Sequence, residues 1–361
     1  MNKNTNKNTN VDAEDNSLFN IAVEDNSLFA EILKGIAAAN DGTDPALLWR
    51  DRAKGMLWGL LVGDALGSPI QFSSKDGHPH ITEMVPCPVF NVPAGYWTDD
   101  GSMALCIMDS YVRKGGVYDR EDIGATFVKW YREGYLSSIE GRAFDVGITT
   151  SQSIAGIARG SLVNGSDRSQ GNGSLMRFAP SWLIAFAEDR RSVYHEISDL
   201  THASDTVRME CEKLDQMLET NLRGVRSDVG PGAETARADV PNSGWCVDTL
   251  KAAAWAFNTT QTFEDGMVAA VNLGGDADTI GAVCGQIAGS FYGFSAIPKE
   301  WYTKVKDWKN VEKFIDRFLD ATGFGAKAKP KKGKPAAKKA AAKPAPSKGK
   351  TPKAKKPAAK A

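Results

Sequence analysis

Gly55-Met-Leu-Trp-Gly-Leu-Leu-Val-Gly-Asp-Ala-Leu-Gly67 and Gly281-Ala-Val-Cys-Gly-Gln-Ile-Ala-Gly-Ser-Phe-Tyr-Gly293 carry the reading of the fold. In each, glycine recurs every fourth residue and lays a stripe of bare backbone down one helix face. A glycine inside a helix costs about 1 kcal/mol relative to alanine. So many of them need compensation, and close backbone approach between buried helices supplies it. Both segments are apolar round most of their circumference, which places them centrally. They are expected to pack tightly and to form a rigid platform for whatever sits at their ends.

Outward from these two, segments 103–113, 122–134, 176–188, 206–223, 246–257 and 263–272 carry apolar residues at three- and four-residue spacing. Few stretches alternate like strands, and no βαβ rhythm appears. The expected fold is all-α. Gly-, Ser- and Asn-rich loops at 160–174 and 224–244 interrupt it, the second read as a flexible surface excursion. Residues 46–325 form the expected folded body. Residues 1–45 read as a leader dispensable for chemistry: an Asn/Lys/Thr-rich start, then Glu14-Asp-Asn-Ser-Leu-Phe19 repeated at Glu24–Phe29.

The chain has 361 residues, and its formal net charge of zero conceals two electrostatic objects. Residues 327–361 hold 14 of the 44 Lys+Arg and no acid, so the tail is +14 and the rest −14. Its Lys/Ala/Pro repeats resemble linker-histone tails. A solvated solubility tail, a nucleic-acid arm acting by counterion release, and docking on the acidic body are the readings open to it. The five cysteines are scattered, with no CxxC or Cys/His cluster, which fits reduced thiols in an intracellular, cytoplasmic protein. A basic tail would also suit a nucleus. No stretch gives eighteen clean apolar residues, so no membrane span is expected.

Two acidic clusters stand at helix starts: Tyr96-Trp-Thr98-Asp99-Asp100-Gly101-Ser102 and Gly274-Gly275-Asp276-Ala-Asp278-Thr279. Taken singly, each reads as a helix cap, since oxygen side chains satisfy orphan N–H groups. Taken together, each offers two carboxylates and a threonine where a cap needs one group. If they converge, four carboxylates cannot all stay ionised without countercharge. Two hard divalent cations with oxygen ligands would balance them. Gly274-Gly275 would let backbone approach a ligand closely. A third motif, Gly171-Asn172-Gly173-Ser174, is a tight turn opening a helix, whose N–H groups suit a phosphate. His202, in Leu200-Thr-His-Ala-Ser-Asp205, precedes a helix and reads by itself as a polar cap or a satisfied core residue.

Gly55–Gly67, Tyr96–Asp100, Gly171-Asn-Gly-Ser-Leu-Met-Arg177, Thr201-His202 and Gly274-Gly-Asp-Ala-Asp-Thr-Ile-Gly281 occur in the order seen in ADP-ribosylglycohydrolases. The chain resembles that family, which includes dinitrogenase-reductase-activating glycohydrolase and the ADP-ribosyl-acceptor hydrolases. The resemblance covers about 50–300. It implies a compact, orthogonal all-α domain with a two-metal centre, Mg²⁺ or Mn²⁺. Thr98, Asp99 and Asp100 match one ligand group, and Asp276, Asp278 and Thr279 the other. Gly171–Ser174 matches the segment lining the ADP-ribose pyrophosphate, and His202 a histidine near the ligand. Asp64 falls in a recurrent Gly-Asp-Ala-Leu-Gly motif with a mainly structural role. Two departures stand out: Gln71 replaces a glutamate of many relatives that approaches the metals, and Gly101 replaces a threonine or serine.

The resemblance implies hydrolysis of the bond between ADP-ribose and an acceptor on a protein or small conjugate. Asp99 or Asp100 is the expected proton acceptor. Gln71, where serine-cleaving relatives carry glutamate, favours the arginine linkage over serine or acetyl ester. A module that binds ADP-ribose or a nucleotide without turnover is the alternative, and Gln71 is its main support.

Overall fold

Helix α1 (Pro45–Gly67) and helix α10 (Ala277–Tyr292) run antiparallel through the centre and make the most extensive contact in the molecule. Their glycines meet in register: Gly55 against Gly289, Gly59 against Gly285, Gly63 against Gly281. A Cβ on Gly55 would lie 2.6 Å from the Gly289 carbonyl oxygen, and the inner pairs are closer still. Only hydrogen fits between such backbones, so the helix-propensity cost is offset by dispersion contact along the seam. The register continues at both ends, but the pairing of glycine with glycine stops. Gly67 meets Ala277, and Gly293 lies beyond α10 with φ +82, against the Asp51 side chain.

The computed structural model describes residues 44–323, which fall within one compact unit. The leader and the basic tail expected from the sequence lie outside the described residues, apart from the leader's last two. Around the central pair stand α2 (Asp99–Arg113), α3 (Arg120–Glu133), α4 (Ile148–Ile157), α5 (Phe178–Ala187), α6 (Ser192–Ser198), α7 (Asp205–Leu222), α8 (Cys246–Thr259), α9 (Phe263–Val271), α11 (Lys299–Tyr302) and α12 (Trp308–Ala321). The described residues contain no strand, only two isolated bridges, Cys87 with Val92 and Gly171 with Trp245. All five cysteines are buried and unpaired with one another. No described helix is long and apolar enough to cross a membrane.

Gln286 ties the platform to its surroundings. Fully buried on α10, it accepts from the Ala179 N–H at 2.6 Å and donates to the Leu175 and Met176 carbonyls. A buried amide so satisfied fixes the start of α5 against α10. The 224–244 loop is less free than its composition suggests. Asn242 donates to the Leu273 carbonyl and accepts from the Asp276 N–H, while the Gly244 carbonyl accepts from the Asn172 N–H.

Candidate active site

Neither acidic cluster caps its own helix. Thr98 and Asp276 occupy the N-cap positions of α2 and α10, and neither side chain accepts from a backbone N–H of its first turn. The cap of α2 comes instead from Asp64 on α1, whose carboxylate accepts from the Thr98 and Gly101 N–H groups at 2.9 Å. That frees Thr98, Asp99 and Asp100 for other work and gives Asp64 the structural role its motif implied. The two clusters meet where Thr279 Oγ1 lies 3.4 Å from Asp100 Oδ1. Asn172 joins them to the glycine turn, donating to Asp276 Oδ2 at 2.6 Å and to Thr249 Oγ1 at 2.9 Å.

These residues line a cavity of about 640 Å³. Of the sequence-derived candidates, Asp99, Asp100, Asp276, Asp278, Thr279, Gly171, Asn172, Gly173 and His202 reach its surface. Thr98, Ser174, Gly274 and Gly275 do not. Ser174 is turned to Ser198, with their hydroxyls 2.8 Å apart. Gly274 and Gly275 both have φ +64 and press on the Ser73–Ser74 backbone and Asn242, while the Phe72 N–H donates to the Gly275 carbonyl. The glycine pair therefore permits close approach to the chain after Gln71, not to the cavity. Gly101 has a similar account: a Cβ there would lie 2.8 Å from Leu61 and the Trp97 indole, which fill the space a larger residue would need.

Asp145 has no counterpart in the sequence reading. It lines the cavity at φ +58, in a loop, and accepts a 2.8 Å hydrogen bond from Gln71 Nε2. Nothing near it in sequence marks it, because its significance arises from this contact across 74 residues. Gly147 opens α4 with no side-chain cap and no acid in the first turn, and Gly147–Thr150 line the same cavity. Unpartnered N–H groups at a helix start suit an anion.

The cavity lining holds five aspartates and no lysine or arginine. Burial raises the affinity of Asp99, Asp100 and Asp278 for their protons well above the carboxylate norm, and repulsion from neighbouring aspartates adds to it. Asp145 and Asp276 are raised mainly by burial, against which the hydrogen bonds from Gln71 and Asn172 work. Three oxygens here are buried and without a partner: Thr98 Oγ1, Asp100 Oδ2 and Asp278 Oδ1. Native structures rarely leave such atoms unsatisfied. A hard cation satisfies oxygen acceptors and supplies the missing positive charge, so this donor set fits divalent ions. No group of three or more carboxylate, histidine or cysteine side chains is arranged to enclose an ion among the described residues. Threonine oxygens and water would complete the shell, as Mg²⁺ tolerates.

The family model for ADP-ribosylglycohydrolase matches residues 45–326. ADP-ribosylarginine hydrolase Tri1 of Pseudomonas putida is 36% identical over 293 residues, covering 75% of this chain and 78% of that protein. ADP-ribosyl-[dinitrogen reductase] glycohydrolase of Rhodospirillum rubrum is 30% identical over 296 residues, covering 75% and 95%. A solved structure described as an ADP-ribosylglycohydrolase-related protein complex superposes with a TM-score of 0.64 at 31% identity, covering 76% of this chain and 99% of that one. With a matching family model over most of its length and relatives this similar, the chain belongs to the ADP-ribosylglycohydrolase family.

Proposed function

We propose that the protein hydrolyses the bond between ADP-ribose and an arginine side chain, on ADP-ribosylated protein or a small conjugate. The observation that carries this is the convergence of two acidic clusters in one cavity whose lining holds no lysine or arginine. An anionic pyrophosphate enters such a cavity only with cationic help, whereas a guanidinium leaving group is attracted to it. Two relatives, in Pseudomonas putida and Serratia proteamaculans, are named ADP-ribosylarginine hydrolases, in keeping with the arginine linkage.

Thr98, Asp99 and Asp100 would hold one divalent cation, Mg²⁺ or Mn²⁺, and Asp276, Asp278 and Thr279 a second. Bound there, the pair would act as Lewis acids toward sugar hydroxyls and water. The chain's own residues do the rest. The uncapped start of α4 and the Gly171–Gly173 turn offer N–H groups to the pyrophosphate. Anionic side chains stabilise the oxocarbenium-like charge that glycosidic cleavage develops. Asp99 and Asp100 were the expected proton acceptors, but a carboxylate committed to an ion is a poor base. Asp145 takes that role better: it lines the cavity, Gln71 Nε2 holds its Oδ2, and its raised proton affinity suits a general base. Gln71 thus orients a carboxylate instead of acting as one, which removes the main support for binding without turnover.

Purified full-length protein should be assayed with Mg²⁺ or Mn²⁺ on arginine-, serine- and acetyl-linked ADP-ribose. Turnover of the arginine conjugate above the others is expected. Tight binding of all three without turnover would establish the binding module instead. For the tail, we infer polyanion binding through its lysines, a reading that rests on charge alone.

A further inference from the structure

Arg177 is a fully buried guanidinium with no ion-pair partner among the described residues. Its Nη1 donates to the Gly173 carbonyl and its Nη2 to Thr201 Oγ1 at 2.6 Å, and its guanidinium carbon lies 5.0 Å from the Phe127 ring centre. The next link is a 2.7 Å contact between Thr201 Oγ1 and His202 Nδ1. His202 is 2% exposed and lines the cavity, and its Nε2 makes no hydrogen bond among the described residues.

The proton inventory of this chain of contacts has one complete solution. Arginine only donates, so Thr201 Oγ1 accepts from it. The hydroxyl has one proton of its own, and among the described residues the acceptor its hydrogen bonds provide is His202 Nδ1. With Nδ1 accepting, the ring proton sits on Nε2. The other tautomer would make Thr201 accept twice and strand its own proton in a fully buried site, a penalised arrangement. The ring also lies against the glycine turn: a Cβ on Gly173 would fall 2.5 Å from Cε1 and 3.0 Å from Nε2. Gly173 therefore makes room for this imidazole, and Arg177 secures the turn through the Gly173 carbonyl.

We propose that Arg177 and Thr201 are positioning residues that fix His202 as the Nε2–H tautomer and so present an N–H donor to a phosphate or hydroxyl oxygen in the cavity. Burial beside Arg177 also pushes the imidazole down to about 3, so it stays neutral near neutral pH and carries one ring proton. The ligand named rests on the functional reading above, but the tautomer does not.

The test uses full-length protein labelled with ¹⁵N-histidine. Long-range ¹H–¹⁵N spectra distinguish a protonated from a bare ring nitrogen, and His202→Gln assigns the signal among the four histidines. Free ADP-ribose is the binding probe. We expect a bare Nδ1 and protonated Nε2 in the parent. Thr201→Val should mix the tautomers and weaken ADP-ribose binding about tenfold, and Thr201→Ser should restore both. A protonated Nδ1 in the parent would overturn the proposal. So would Thr201→Val with unchanged tautomer and affinity. Where the parent binds no ADP-ribose, the functional reading fails, and the tautomers of parent and Thr201→Val alone decide the relay.

Discussion

Asp99 and Asp278 belong to segments 179 residues apart, yet they serve one cavity, and their removal should be read together. Asp99→Asn, Asp278→Asn and the double variant should lose activity almost equally, because groups that act as a unit are not additive. Single variants with parental kcat in the presence of chelator would sink the metal reading. Asp145→Asn should lower kcat by about 10²- to 10⁴-fold with little change in KM, as for loss of a general base. The two clusters were legible in the sequence because each carries more oxygen than a cap requires. Their neighbour was not: a single aspartate in Phe144-Asp145-Val146-Gly147 acquires meaning only beside Gln71. The same holds for Arg177, visible in its motif but not as the partner of Thr201.

Between α1 and α10, packing leaves no room for side chains, and substitution there tests the platform. Gly59→Leu or Gly285→Leu should destabilise the body by about 1–3 kcal/mol or more through overpacking. Parental melting temperatures in both variants would remove the central role of the pair. The four-residue period made these helices, and most of the others, readable from the chain. The stretch from Ser68 to Trp97 was not readable, because long-range bonds hold it. Asn272, 191 residues away in sequence, accepts from the Ile81 N–H at 2.8 Å and donates to its carbonyl at 2.7 Å. No local periodicity encodes such a bond. Likewise the last glycine of the second stripe continues the period but lies outside the helix, where φ +82 serves a turn.

Across the molecule, the buried carboxylates make stability depend on pH and on cations. Asp64 is pushed up to about 7, chiefly by burial, and the cavity aspartates are raised as well. The folded state thus holds protons that the unfolded chain releases near pH 4. This contribution is fully present below about pH 4 and is lost as pH rises through about 7. Cations need the deprotonated form, so the gain in Tm on adding Mg²⁺ or Mn²⁺ should be larger at pH 8 than at pH 5. Thermal melts with cation and with chelator at both pH values would show it, and equal gains would contradict it. Deleting residues 327–361 should leave hydrolysis of a small conjugate intact. It should also abolish a salt-steep affinity for duplex DNA, with a log–log slope near about −4.5 for about five phosphates. Equal DNA binding with and without the segment would leave solubility as its role. The glycine seam has a last consequence, for synthesis. Gly55 leaves the ribosome roughly 230 residues before its partner Gly289. At about 5–20 residues per second, α1 waits on the order of ten to fifty seconds with its apolar surface unmatched. The nascent chain therefore exposes this apolar surface throughout that interval, the condition under which chaperones act, and a chain cut short before α10 lacks the second acidic cluster.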